Sequence, residues 1–158
     1  SVLQIGSGNG ALLNELDKRG IKELVGIDLS INMIEMAEDQ ESSNRISFYN
    51  SSALLFDFSK VRHIKTVIFI NFWGILSVQD SIAILLKIRR ELPNLKQVLI
   101  GDFEKVSLPV QRARAIQILS EKFGFRAAYP LFLNFSLCDF TFEKIYINKK
   151  KYFLLVPC

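Results

Sequence analysis

The chain has 158 residues, 49% hydrophobic and 23% charged, with 8 Gly and 4 Pro, which excludes a disordered or collagen-like chain. No uncharged apolar run reaches the about 18 residues of a membrane-spanning helix, and a chain this long buries roughly 70% of its unfolded surface, enough for a core. The net charge of +4 comes from 20 Lys and Arg against 16 Asp and Glu; Lys149, Lys150, Lys151, Arg112 and Arg114 read as solvated faces and a turn, so no nucleic-acid partner is expected.

Cys138, Cys158 and the single His63 compose neither a disulfide framework nor a zinc site, so no metal is expected. A strand-like run begins directly at Ser1. The reading is therefore one domain over residues 1–158, trimmed at its start, with a lost targeting segment left open.

Strand and helix patterns alternate. Val2 to Ile5 is an apolar run ended by Gly6. Residues 11–19 form a helix with Leu12, Leu13 and Leu16 on one face, and Gly20 suits the left-handed position that ends it. Glu23 to Ile27 is the second strand. Ser30 caps a helix of about residues 31–40, with Met33, Ile34 and Ala37 on one side. Arg45 to Tyr49 is the third strand, and a short helix falls within 52–63. Thr66 to Asn71 is apolar enough for a strand buried on both faces. Ile82, Leu85, Ile88 and Leu92 mark a helix over 78–92, stopped by Pro93. Gln97 to Gly101 is the fifth strand, and Pro109 opens a helix over 109–123.

After Gly124 the chain is aromatic and strand-rich. Phe140 to Ile147 and Tyr152 to Val156 are strands, with a turn at 148–151, and strands so joined run antiparallel. The expected fold is α/β, a doubly wound, mostly parallel seven-stranded sheet with helices on both faces and an antiparallel C-terminal strand.

The segment Gly6-Ser7-Gly8-Asn9-Gly10 lies between a strand and a helix. Glycines there let the backbone turn tightly and leave no Cβ against a bound molecule, while the helix aims free N–H groups and its positive dipole end at that space. Asp28 ends the second strand about 20 residues on, which sets its carboxylate beside the loop. A ribose with two hydroxyl donors fits that carboxylate; a turn or capping aspartate is the plainer alternative. With Ala11 in the last place the loop also satisfies G-x-G-x-x-G/A, the weak dinucleotide signature of a nicotinamide oxidoreductase.

Taken together, these segments resemble the class I S-adenosylmethionine-dependent methyltransferases over nearly the full chain. Val2 to Gly10 is similar to that family's first motif, Val25 to Ser30 to its second and Ile31 to Glu38 to the helix that follows. Ile46 to Leu55 resembles the third motif, Val67 to Leu76 the fourth, and Arg89 to Asp102 the helix, turn and fifth strand. The resemblance implies that Gly6, Ser7, Gly8, Asn9 and Gly10 pass close to the methionine part of S-adenosylmethionine. It implies that Asp28 binds the ribose, Leu29 flanks the adenine, Ser52 and Ala53 lie at the adenine edge, and Asn71 and Phe72 line the methyl-donor end. Three positions depart from the family: Gln4 stands where Asp or Glu is usual, Ser52 where Asp is frequent, and Asn71-Phe72-Trp73-Gly74 replaces an Asn-Pro-Pro-aromatic box.

The expected activity is cytoplasmic methyl transfer to a small-molecule acceptor; the alternative is a methyltransferase-like binding or interaction domain without catalysis. No catalytic base is assigned. His63 precedes the fourth strand, at the edge away from the loop. Asp102 and Glu104 follow the fifth strand and read as turn residues, and Phe72, Trp73, Phe103 and Tyr129 read as core or as an apolar lid.

Overall fold

The computed structural model describes residues 1–40, 43–72, 75–101, 140–147 and 150–158. The expected helix at 109–123, together with Trp73, Asp102, Phe103, Glu104, Arg112, Arg114, Tyr129, Cys138 and Lys149, lies outside the described residues.

In chain order the elements are β1 (Val2–Ile5), α1 (Ala11–Lys18), β2 (Leu24–Asp28), α2 (Ile31–Asp39), β3 (Ile46–Asn50), a 3-10 turn (Phe58–Val61) and β4 (Thr66–Ile70). They are followed by α3 (Val78–Glu91), β5 (Gln97–Gly101), β6 (Phe140–Ile147) and β7 (Lys150–Pro157). The sheet order is β3-β2-β1-β4-β5-β7-β6. β1 to β5 run parallel, whereas β7 runs antiparallel to both β5 and β6. The expected doubly wound sheet is therefore the fold, with the strand order reversing between β1 and β4.

Side chains alternate across the strands. Leu3, Ile5, Val25, Ile27, Val67, Phe69, Val98 and Ile100 pack with Ile84, Leu85 and Ile88 of α3, with Leu92 just past its end, and with Phe58 and Val61. On the other face Val2, Leu24, Ile46 and Ile68 meet Leu13, with Leu12, Leu16 and Phe48 beside them. Phe58 and Phe69 are fully enclosed, and such burial contributes about 1.5–3 kcal/mol per side chain.

Element ends follow local chemistry. Ser30 accepts a hydrogen bond from the Met33 N–H and starts α2, and Gly20 takes the left-handed conformation at φ +86 just past α1. Asp57 caps the 3-10 turn by accepting from the Ser59 N–H; hydrogen bonding with Ser59 holds its carboxyl below the ordinary carboxylate range. β2 and β3 each run one residue beyond the expected ends because Asp28 pairs with Asn50 in the ladder. β4 stops one residue short, at Ile70, since Asn71 turns to φ +55 and leaves the extended conformation. β7 starts at Lys150, inside the expected turn, because Lys150 already pairs with Ile147.

Ser77 opens α3. Its Oγ accepts from the Asp80 N–H at 3.0 Å and donates to Asp80 Oδ2 at 2.7 Å. Ser77→Ala removes both bonds and lowers stability by about 1 kcal/mol, as cap losses do; urea denaturation checks this, and an unchanged midpoint would deny the cap any weight.

Candidate functional site

The carboxyl ends of β1, β2, β3 and β4 open onto one crevice at the reversal point between β1 and β4, where doubly wound sheets bind ligands. Its cavity measures about 230 Å³. Ile5 and Gly6 supply one wall, Ile27, Asp28 and Leu29 another, Ser51 to Leu54 a third, and Phe72, Ile75, Leu76, Asp80 and Ile84 the side toward α3. The volume lies below the roughly 300–1,000 Å³ of drug-sized ligand sites, so it suits a nucleoside whose remainder extends outside.

The loop after β1 is tied to the end of β2. The Gly8 N–H donates to Asp28 Oδ2 at 2.8 Å, and the Ser30 N–H donates to Asp28 Oδ1 at 2.9 Å. The Gly6 and Ser7 N–H groups both donate to the Ile27 carbonyl. Asn50 Nδ2 donates to the Asp28 and Leu29 carbonyls, which fastens β3 to the same corner. An ionised carboxylate offers about four acceptor sites, so both Asp28 oxygens retain capacity for a ligand.

The three glycines meet different demands. A Cβ on Gly8 would touch nothing within 4 Å, although its φ of +55 is left-handed; the open side of the loop is there. At Gly10 a Cβ would meet Phe48 Cζ at 2.8 Å and Ala37 Cβ at 3.1 Å, so this glycine serves packing between α1, α2 and β3. At Gly6 it would meet the Phe72 ring at 2.5 Å, because Phe72 lies back over the loop. The left-handed turn at Asn71 precedes that placement.

Of the residues singled out in the sequence, Gly6, Asp28, Leu29, Ser52, Ala53 and Phe72 line the cavity. Gly8 joins them through Asp28. Ser7 is buried with no hydrogen-bond partner on its Oγ, and Gln4 is buried with none on its Oε1; both stand at the root of the loop, outside the cavity wall. Asn9, Gly10 and Asn71 also fall outside that wall, and Asn71 is exposed. His63 is exposed, and its carbonyl accepts from Ser1 Oγ at the opposite edge of the sheet.

The sequence did not single out Ile5, Ile27, Ser51, Leu54, Ile75, Leu76, Asp80 and Ile84 as lining residues. Asp80 carried a signal only as the fourth residue of a Ser-x-x-Asp cap, Ile5, Ile27 and Ile84 read as core positions of their strands and helix, and the others sit in segments without a clear period. Lys87 Nζ donates to the Leu54 carbonyl at 2.7 Å, so α3 holds the loop that forms the far wall. Among the described residues no group of three or more His, Cys, Asp or Glu gathers as a metal site requires, and no helix is long and apolar enough to cross a membrane.

Comparison with known proteins agrees with this architecture. A family model described as a methyltransferase domain matches residues 2–94. No curated protein sequence matches the chain. Among solved structures, the PH0226 protein from Pyrococcus horikoshii OT3 superposes with a TM-score of 0.75 at 19% identity, over 99% of this chain and 82% of that one. The magnesium protoporphyrin IX methyltransferase ChlM from Synechocystis PCC 6803, solved with bound SAH, gives 0.67 at 14% identity, over 99% and 73%. At such identities the two likenesses establish the fold.

Proposed function

The chain belongs to the methyltransferase domain family, and on that premise we propose that it binds S-adenosylmethionine and transfers its methyl group to a small-molecule acceptor in the cytoplasm. The observation that carries this reading is the 2.8 Å bond from the Gly8 N–H to Asp28 Oδ2 at the rim of the cavity. It brings a bare backbone loop and a carboxylate to one corner, as an adenosine with a charged tail requires.

The residues present fit such a cofactor. Asp28 accepts the ribose hydroxyls on its remaining lone pairs. Leu29, three-quarters exposed at the rim, flanks the adenine, with Ala53 on the wall facing it. Gly8, where a Cβ would meet nothing within 4 Å, would leave room for the amino-acid tail, and the N-terminus of α1 would favour its carboxylate by about 0.3–1 kcal/mol. The unpartnered Ser7 Oγ and Gln4 Oε1 leave hydrogen-bonding capacity at the root of that loop. When bound, S-adenosylmethionine supplies an electrophilic methyl group on a sulfonium, and the protein's part is to orient the partners and exclude water. Phe72 on the loop and Ile75 and Leu76 beside it supply the apolar screen.

Calorimetry with S-adenosylhomocysteine, followed by labelled methyl transfer to a panel of small acceptors, tests the proposal. Micromolar binding (about −8 kcal/mol), undisturbed by NAD, together with turnover is the expected outcome. Binding without turnover on any acceptor would assign a binding module instead, and no binding would remove the proposal.

A further inference from the structure

The loop after β3 lends Ser51, Ser52, Ala53 and Leu54 to the cavity wall, and α3 lends Asp80 and Ile84. Segment 52–56 is bonded chiefly to itself. The Leu55 and Phe56 N–H groups donate to the Ser52 carbonyl, and the Leu54 N–H donates to Ser52 Oγ. Ala53 and Phe56 anchor the segment by burial, but Leu54 and Leu55 between them are 37% and 82% exposed, so apolar packing does not fix that part of the wall. Among the described residues, the 2.7 Å bond from Lys87 Nζ to the Leu54 carbonyl is the one hydrogen bond that ties this segment to another element. Lys87 follows Asp80 and Ile84 on one face of α3.

The same ammonium lies 5.5 Å from the centroid of the Phe58 ring, within reach of a cation–π attraction. Phe58 is fully buried and meets Phe56 edge-on, with ring centroids 5.2 Å apart. One cation thus holds both the carbonyl at the exposed part of the wall and the aromatic pair behind it. Resting on the function proposed above, we infer that Lys87 is a positioning residue: it latches the Ser51 to Leu54 wall to α3 and so fixes the width of the slot that takes the base. A fixed wall admits flat, unsubstituted adenine and rejects a base enlarged at the edge away from the sugar. Lys87 takes no part in the transfer.

The test uses the wild-type chain, Lys87→Met and Lys87→Arg. Met keeps an unbranched apolar stem and removes the donor, whereas Arg keeps the charge, donates to carbonyls and stacks on ring faces; thermal melting confirms the fold of each variant. Hydrogen exchange reads the latch without a ligand. In Lys87→Met the Leu55 and Phe56 amides are expected to exchange roughly threefold faster or more, as local opening allows, while those of β1 and β4 keep their rates; Lys87→Arg is expected to stay near wild type. Calorimetry then compares S-adenosylhomocysteine with its analogue carrying a benzyl group on the exocyclic nitrogen of the base. The wild type is expected to favour the unsubstituted ligand by roughly tenfold or more, since overfilling a fixed site is costly. Lys87→Met is expected to narrow that ratio by roughly threefold or more as the wall yields, and Lys87→Arg to restore it. Unchanged exchange in Lys87→Met, or faster exchange with an unaltered ratio, overturns the assignment and leaves the cofactor proposal intact. Absence of S-adenosylhomocysteine binding in the wild type removes both.

Discussion

Asp28→Ala is expected to weaken S-adenosylhomocysteine binding by a factor of about 10² to 10⁴. Two charge-assisted hydrogen bonds to the ribose are lost, each contributing about 1.5–3 kcal/mol, and about 1.4 kcal/mol corresponds to tenfold. The same substitution strips an acceptor from the Gly8 and Ser30 N–H groups, so the glycine loop loses its tie to β2. A stability loss of about 1–2 kcal/mol accompanies it, the groups being only partly withdrawn from water. Asp28→Asn separates the two effects. Its single oxygen can hold one N–H, and its amide opposes the other, so binding falls between wild type and Asp28→Ala. Calorimetry reads the affinities and urea denaturation the stabilities. Affinity within twofold of wild type in Asp28→Ala would place the ribose elsewhere.

The second large effect distinguishes glycines that look alike in the sequence. Gly10→Ala drives a methyl group into Phe48 and Ala37, at 2.8 and 3.1 Å, and holds an alanine at φ +74. Overpacking of this kind costs about 1–3 kcal/mol and the left-handed conformation about 1–2 kcal/mol. We expect Gly10→Ala to lose about 2–5 kcal/mol in urea denaturation. Phe48 also fills the space beside Gly26, where a Cβ would meet its ring at 2.6 Å, so the ring has little room to retreat. Gly8→Ala meets open space and bears only the conformational cost, about 1–2 kcal/mol. Its added methyl group projects over the open side of the loop, so ligand binding should suffer more than stability. Equal stability losses at the two positions would contradict the different roles assigned to them.

These two glycines show where the sequence was sufficient and where it was not. The pattern strand, Gly-Ser-Gly-Asn-Gly, helix located the loop because backbone constraints are written directly in glycine positions. It could not say which glycine faces a ligand, because that depends on Phe48 and Phe72, which arrive from β3 and from beyond β4. Asp28 was legible for a similar reason: it ends a short apolar strand at a set distance from the loop. Asp80 was not, since its spacing from Ser77 is fully explained by a helix cap, and only the packing of α3 on the sheet brings it to the cavity wall.

The strands were legible as short apolar runs bounded by polar or turn residues. Their ends were displaced by a residue where pairing partners decide, as at Asp28 opposite Asn50, or where a side chain adopts an uncommon backbone conformation, as at Asn71. The segment 52–63 resisted because a 3-10 turn of four residues is too short to show a period. Phe56, Phe58 and Val61 are nonetheless buried there, with Tyr49 and Phe56 rings 5.2 Å apart. That cluster supports Ser51 to Leu54 from behind, so the wall of the crevice rests on packing that no local motif announces.

A crystal of this chain soaked with S-adenosylhomocysteine tests the account most directly. The predicted density places both ribose hydroxyls about 2.5–3.0 Å from the Asp28 carboxylate, the base between Leu29 and Ala53, and the tail above Gly8. Density on the other face of the sheet, or a sugar out of reach of Asp28, would contradict it.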